Sequence, residues 1–296
     1  MDYNKHLGID LHIHSTASDG TLSPSEILSE AASLQLGAIA ITDHDTISGS
    51  RDAIAHGIPP SMKFLTGVEI SATPPSSFPC SGSFHVLGYA FKLDDPVLNQ
   101  TLGILQQARK DRNPRIINRL NNLGFDISLA EVLKEAGDGQ LGRPHIARVL
   151  IKKGLVSSIN EVFDKYLGKD KAAYVDKYRV DCAEAIKIIG GAGGIPVLAH
   201  PGLIEHKSDK TYEDLFITLK EMGLKGIEVY YPEHSPKVTA HFAELAQRHQ
   251  LLLTGGTDFH GSLKPKIKLG SGKGDLFVPF KLFERLIQAA GNNQSL

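Results

Sequence analysis

The sequence of 296 residues contains no tryptophan and only two cysteines, Cys80 and Cys182, which are far apart. Without CxxC spacing, they indicate neither a disulfide framework nor a thiolate zinc site. The longest apolar runs, such as residues 38–41 and 251–253, are too short to span a bilayer. The first residues lack the apolar stretch of a signal peptide. We therefore expect a cytoplasmic protein that binds no membrane.

The chain also lacks an excess of either charge, because 32 Lys and Arg face 33 Asp and Glu, for a net charge of −1. This balance argues against a broad basic surface, so we expect no binding to duplex DNA. The charge balance is compatible with a small anionic substrate that is held by a few cations or metal ions. Histidine, by contrast, is abundant, with 13 residues.

Short β-type runs alternate with helix-type stretches along much of the chain. The predicted strands are residues 8–13, 38–42, 63–69, 84–90, 195–200, 226–231 and 251–256. Such βα alternation predicts a mostly parallel sheet, either open or closed into a barrel. The Pro- and Ser-rich segment between strands three and four is unsuitable for a crossover helix, so these two strands are predicted to be antiparallel or distorted.

One long segment interrupts this alternation. Residues 96–179 contain helical patterns and no convincing strand. We predict that they form a helical insertion that caps the active site. Residues 1–95 and 180–296 then form the α/β barrel.

Residues of metal-ligand types lie at the ends of the predicted strands. They are His12, His14, Asp19, His44, Glu69, His85, His200, Asp258 and His260. Each residue alone also fits an ordinary role in a turn, a helix cap or a hydrogen-bonded core. Functional residues collect at the carboxyl ends of parallel strands, however, so their joint placement favours one cluster. Imidazoles with carboxylates suit Mn, Zn or Fe, with Mg as a further alternative, and nine candidates predict two to three divalent ions.

Six motifs extend across the predicted barrel. They are IDLHIHSTASDGT (9–21), ITDHDT (41–46), GVE (67–69), HVLGY (85–89), LAHPG (198–202) and TDFHG (257–261). With them the chain resembles the PHP (polymerase and histidinol phosphatase) superfamily of metal-dependent phosphoesterases. The resemblance implies a distorted (β/α)7 barrel with a trinuclear metal site. GRPHIARVL (142–150) and GIEVYYPEHSP (226–236) resemble its stand-alone branch, which includes nucleoside 3′,5′-bisphosphate phosphatases and 5′–3′ exoribonucleases that act on short RNA.

The resemblance also implies how the ligands divide among three metal sites. The first would be His12, His14, Glu69 and Asp258, the second Glu69, His85 and His200, and the third Asp19, His44 and His260. Some relatives have histidine at the position of Asp19, which implies a weaker third site or a different metal there. Some nucleotide-cleaving relatives carry an arginine soon after the His-Pro pair, and its absence after Pro201 leaves the exact substrate open.

These residues predict hydrolysis of a phosphate ester by a metal-activated water, since no Ser or Cys nucleophile motif is evident. The resemblance implies that the substrates are small nucleotides, either nucleoside 3′,5′-bisphosphates or the 5′ ends of short single-stranded RNA. Arg143 is the predicted phosphate clamp, and His145 and His234 are lesser candidates for substrate contact. Two alternatives are a phosphomonoesterase for a non-nucleotide such as histidinol phosphate, and an inactive metal-binding module.

Overall fold

The computed structural model describes residues 7–137, 139–206 and 211–293, in which a nearly closed barrel is the central feature. Its strands are β1 (Ile9–Ile13), β2 (Ala38–Ile41), β3 (Lys63–Thr73), β4 (Cys80–Ser81), β5 (His85–Tyr89), β6 (Val180–Asp181), β7 (Ile195–Leu198), β8 (Glu205–His206), β9 (Gly226–Tyr230) and β10 (Leu252–Gly255). Seven of them follow the order β1-β2-β3-β5-β7-β9-β10, and a parallel bridge from Ile13 to Phe259 brings the last strand back to the first. The predicted seven-stranded α/β barrel is confirmed.

Strand β5 runs against its neighbours in this otherwise parallel barrel. It is antiparallel to both β3 and β7, with Ser71 opposite His85 and Val86 opposite Leu198. The predicted antiparallel pairing of strands three and four is therefore confirmed. Because of this reversal, the first residue of β5 lies at the carboxyl ends of its neighbours.

Helices surround the barrel and fill the insertion. They are α1 (Pro24–Ser33), α2 (Ser48–His56), α3 (Pro96–Asn122), α4 (Leu129–Ala136), α5 (Arg143–Lys152), α6 (Ile159–Val162), α7 (Cys182–Gly191), α8 (Tyr212–Glu221), α9 (Pro236–Arg248) and α10 (Lys281–Asn293). Ser23 and Glu26 form the capping box that starts α1. Helices α2 and α10 were not predicted from the sequence.

The insertion has an apolar core of its own. Helices α3 to α6 and a short π-helix (Phe163–Leu167) contribute to it, and residues 96–137 and 139–179 contain no strand. Its buried centre includes Ile116, Leu120, Val132, Ile146 and Leu150. No helix in the described part of the chain is both long and apolar enough to cross a bilayer.

A separate apolar cluster fills the inside of the barrel. It combines residues of β1, β2, β3, β5 and β7 with Phe280 and Leu286 of the carboxy-terminal region. Ala38 and Ala40 of β2 belong to this cluster, whereas the alternate residues Ile39 and Ile41 pack with helix α1 on the outer face. Because Phe280, Phe283 and Leu286 belong to this cluster, the region around α10 packs against the barrel core.

The barrel closes through a tight backbone approach at Gly256, which allows a direct test. A β-carbon on Gly256 would lie 2.3 Å from the backbone nitrogen of His12. We expect Gly256→Ala to reduce the free energy of unfolding by about 1–3 kcal/mol, because β1 must move. Gly103→Ala is the control, since Gly103 lies exposed within α3 with open space around it.

The control variant should be stabilised by about 0.5–1 kcal/mol, because alanine is the better helix former. Urea unfolding of the metal-free chains measures both values. Equal stability of the two variants would contradict the close approach of β10 to β1.

Candidate metal centre

All nine predicted ligand residues meet at the carboxyl-terminal end of the barrel. His12 lies within β1 and His14 follows it, while His44 and His200 follow β2 and β7. Glu69 is inside β3, and the reversed β5 adds its first residue. The loop after β10 supplies the remaining pair, Asp258 and His260, and the loop after β1 supplies Asp19.

The Glu69 carboxylate lies between two groups of donor atoms. On its Oε2 side, Nε2 of His14 is 3.3 Å away and Nε2 of His12 is 3.5 Å away. The same two nitrogens lie 3.1 Å and 3.6 Å from Oδ1 of Asp258. These four residues therefore surround one common point.

The other oxygen of Glu69 faces a second group. Its Oε1 lies 2.6 Å from Nδ1 of His85 and 3.0 Å from Nε2 of His200. These two ring nitrogens are 3.3 Å apart. One carboxylate thus contacts both groups, as a bridging ligand would.

Asp19 is the centre of a third group. Its carboxylate lies 3.5 Å from Nε2 of His260 and 4.0 Å from Nε2 of His44. Donor atoms of His14 also come within 4.8 Å of these three residues. Nδ1 of His44 contacts Oε2 of Glu69 at 2.8 Å, so the three groups are continuous.

The donor chemistry fits divalent transition-metal ions. Several inward-facing atoms are buried without a hydrogen-bond partner among the described residues, namely Nε2 of His12 and His14, Oδ1 of Asp19, Nδ1 of His44 and Oε2 of Glu69. Buried polar atoms are normally hydrogen-bonded, so a set of such atoms that face one another without hydrogen bonds indicates a site for a ligand. A set of imidazole nitrogens and carboxylate oxygens matches Mn, Zn or Fe.

Burial and neighbouring charges shift the pKa values of this centre in opposite directions. Burial lowers the pKa of His14, but the adjacent carboxylates of Asp258 and Glu69 outweigh it and raise the pKa to about 9. Burial dominates at His44 and lowers its pKa to about 4. Burial alone would raise the pKa of Glu69, yet the surrounding imidazoles, led by His85, hold it well below its usual range.

The centre opens into a cavity of about 560 Å³. Seven of the nine predicted ligand residues line it, together with the cations Arg109, Arg112, Arg143, Lys169, Lys177, Arg179 and Lys264. All of these cations except Lys264 come from residues 96–179. The cavity therefore joins the metal-ligand cluster to a positively charged wall.

The carboxylate of Asp45 neutralises only part of this positively charged wall. Asp45 is fully buried and accepts hydrogen bonds from Arg109 at 2.7 Å and from Lys177 at 2.9 Å. Arg112 is only 4% exposed and donates to the amide oxygen of Asn113 at 2.9 Å. Burial and the nearby guanidinium groups lower the pKa of Arg112 well below its usual range. Among the described residues, no carboxylate lies within ion-pair distance of Arg112.

The predicted substrate contacts occupy different surroundings. Arg143 lines the cavity, donates to the carbonyl of Leu167 at 2.8 Å and stacks over Phe163 and Tyr174. His145 is buried, and its Nδ1 accepts a hydrogen bond from the backbone of Gly142.

His234 is engaged in the fold through both of its ring nitrogens. Its Nδ1 donates to the carbonyl of Val229 at 2.8 Å, and its Nε2 accepts from the backbone nitrogen of Gly202 at 3.1 Å. Neither His145 nor His234 is among the described residues that line the cavity. Both histidines therefore hydrogen-bond to backbone segments, and their contact with the substrate stays a prediction.

Four buried carboxylates next to the predicted ligands were not among the predicted site residues. Asp10 binds Thr257, Asp43 binds Ser15 and Ser18, Asp45 binds Arg109, and Glu228 binds His12. Asp43 and Asp45 flank His44, so their position in ITDHDT was a usable signal. For Glu228, the signals were an acidic residue within an otherwise apolar strand and its place in the motif GIEVYYPEHSP (226–236).

Comparison with known proteins agrees with this geometry. Residues 10–166 match the PHP domain family. The chain is 33% identical to the 5′-3′ exoribonuclease Rnm of Escherichia coli, over 91% of this chain and 90% of that protein. It is 32% identical to the 3′,5′-nucleoside bisphosphate phosphatase of Chromobacterium violaceum, over 85% of this chain and 87% of that protein.

A solved structure resembles the whole fold. A candidate metal-dependent phosphoesterase from Bifidobacterium adolescentis superposes with a TM-score of 0.84 at 28% identity, covering 96% of each chain. The sequence match and the shared fold lead to the same assignment: this chain belongs to the PHP domain family.

Proposed function

We propose that this protein is a metal-dependent hydrolase of phosphate esters in small nucleotides, namely nucleoside 3′,5′-bisphosphates or the 5′ ends of short single-stranded RNA. The observation that carries this proposal is the single cavity lined by both metal-ligand residues and buried arginines. The names of an exoribonuclease and a bisphosphate phosphatase among its relatives support the same substrate class.

The three donor groups would hold two to three divalent ions. His12, His14, Glu69 and Asp258 would bind one ion, Glu69, His85 and His200 a second, and Asp19, His44 and His260 a third. Mixed nitrogen and oxygen donors favour Mn, Zn or Fe, and Mg is a further alternative. Bound ions would lower the pKa of a water molecule and neutralise the phosphate oxygens.

The arginines would hold the substrate beside this centre. A guanidinium group grips two phosphate oxygens, and the buried Arg112 has no carboxylate partner of its own among the described residues. A second phosphate on the substrate would supply the missing negative charge. Arg143, on the same cavity, would assist as the predicted clamp. In this arrangement residues 96–179 act as a cap that selects doubly phosphorylated or 5′-phosphorylated nucleotides.

A substrate panel tests the proposed reaction. With Mn²⁺, the purified chain should release phosphate from adenosine 3′,5′-bisphosphate or mononucleotides from 5′-phosphorylated RNA of a few residues. Phosphate release and product chromatography measure this outcome. Activity confined to histidinol phosphate would replace the nucleotide assignment, and metal binding without turnover on any ester would indicate an inactive module.

Metal content tests the proposed ligand groups. The wild-type chain should bind two to three Mn²⁺ ions, which mass spectrometry of the dialysed protein measures. Glu69→Gln should lose at least one of them, because Glu69 contacts two groups. Glu244→Gln is the control, since this glutamate is exposed on α9 and pairs with Arg248. Equal metal content in both variants would contradict a bridging role for Glu69.

Two arginine variants test substrate recognition. Arg112→Met and Arg143→Met should each lower kcat/KM for the bisphosphate by about 10- to 100-fold, mainly through KM, because a charge-assisted hydrogen bond is lost. Turnover of p-nitrophenyl phosphate, which carries one phosphate, should change little. Arg115→Met is the control, as Arg115 is exposed on the same helix as Arg112. Equal losses on both substrates would contradict a subsite for the second phosphate.

A further inference from the structure

Strand β9 places a buried carboxylate beneath the metal centre. Ile227 and Val229 pack in the apolar cluster outside the barrel, so the intervening Glu228 points to the opposite, inner face. Its side chain is completely buried. A buried carboxylate is costly unless hydrogen bonds satisfy it, so its partners are informative.

Each oxygen of Glu228 has one partner from a different ligand segment. Oε1 accepts a hydrogen bond from Nδ1 of His12 at 2.8 Å. Oε2 accepts one from the backbone nitrogen of His200 at 2.7 Å. Glu228 therefore joins β1 to the turn after β7, and both segments carry proposed metal ligands.

The first contact determines which nitrogen of His12 faces the centre. Because Nδ1 donates to Glu228, Nε2 on the other side of the ring is the nitrogen that remains to bind a metal ion. That nitrogen lies 3.5 Å from Glu69 and 3.6 Å from Asp258. Metal-binding histidines commonly donate their second nitrogen to a carboxylate in this way, which fixes the ring and strengthens the ligand.

The second contact holds an uncommon backbone conformation. His200 has φ 27° and ψ 58°, a left-handed geometry that is unfavourable for a residue with a side chain. The hydrogen bond from its backbone nitrogen to Glu228 anchors this turn. As a result, Nε2 of His200 reaches Oε1 of Glu69 at 3.0 Å.

We propose that Glu228 is a positioning residue that sets the metal affinity of two sites at once, through His12 at one site and His200 at the other. This inference rests on the metal binding proposed above. It assigns a role to the GIEVYY segment, which the ligand groups themselves leave unused.

The decisive variant is Glu228→Gln, which preserves shape but changes hydrogen bonding. Glutamine offers one acceptor oxygen and one NH₂ donor, whereas both partners of Glu228 are donors. If the NH₂ faces His200, it meets a second donor and that contact is lost; if it faces His12, it can bond only when the ring proton moves to Nε2, the nitrogen that faces the centre. We expect Mn²⁺ affinity to fall by about 10- to 100-fold, measured by titration calorimetry of the metal-free protein.

Glu233→Gln provides a matched control, because this glutamate follows β9 closely but is about half exposed and pairs with Lys273. Its Mn²⁺ affinity should equal that of the wild type. Urea unfolding of the metal-free variants separates metal affinity from stability. If Glu228→Gln is destabilised but binds Mn²⁺ like the control, Glu228 is only structural and the inference is overturned.

A measurement on the wild type covers the case in which Glu228→Gln does not fold. Nitrogen NMR of the Zn²⁺-loaded chain should show His12 protonated at Nδ1, whereas protonation at Nε2 would overturn the inference alone. A wild-type chain that binds neither Mn²⁺ nor Zn²⁺ would overturn the proposed function and this inference with it.

Discussion

The structure depends on one buried carboxylate that must be surrounded by imidazoles. Glu69 is 1% exposed, and five rings approach its oxygens at 2.6–3.5 Å, those of His12, His14, His44, His85 and His200. An ionised carboxylate in the interior is stable only with such partners. The rings lie on or just after four different strands, so they can reach Glu69 only when the barrel forms. Folding and assembly of the candidate metal centre are therefore the same event.

The helical insertion is attached to the ligand loops through backbone contacts. Gln140 donates to the carbonyl of His44 at 2.8 Å, and Gln106 donates to that of Asp45 at 3.0 Å. Arg109 adds an ion pair to the Asp45 carboxylate. Movement of the insertion would therefore disturb a loop that carries a proposed ligand. The positively charged wall and the candidate metal centre are therefore connected through the loop that contains His44 and Asp45.

Most of the fold was predictable because its signals are local. The Pro- and Ser-rich segment after β3 correctly indicated the reversed strand β5, and Ser23 with Glu26 marked the start of α1. Helix α2 was missed because it begins with Ser-Gly-Ser and has no side-chain cap. The role of Glu228 was also hidden, since its partners lie on β1 and after β7, far away in the sequence.

The sequence by itself determined which residue types stand at the strand ends, because strand period and turn chemistry are properties of neighbouring residues. Only the tertiary structure decided which atoms face one another. His12 and Asp258 lie near opposite ends of the chain, yet their side chains come within 3.6 Å when β10 closes against β1. His234 is the opposite case: folding does not leave its ring nitrogens open, because the backbone groups of Gly202 and Val229 hydrogen-bond to both of them. The residue type determines which bonds a side chain can form. The folded structure determines whether neighbouring groups already occupy its atoms.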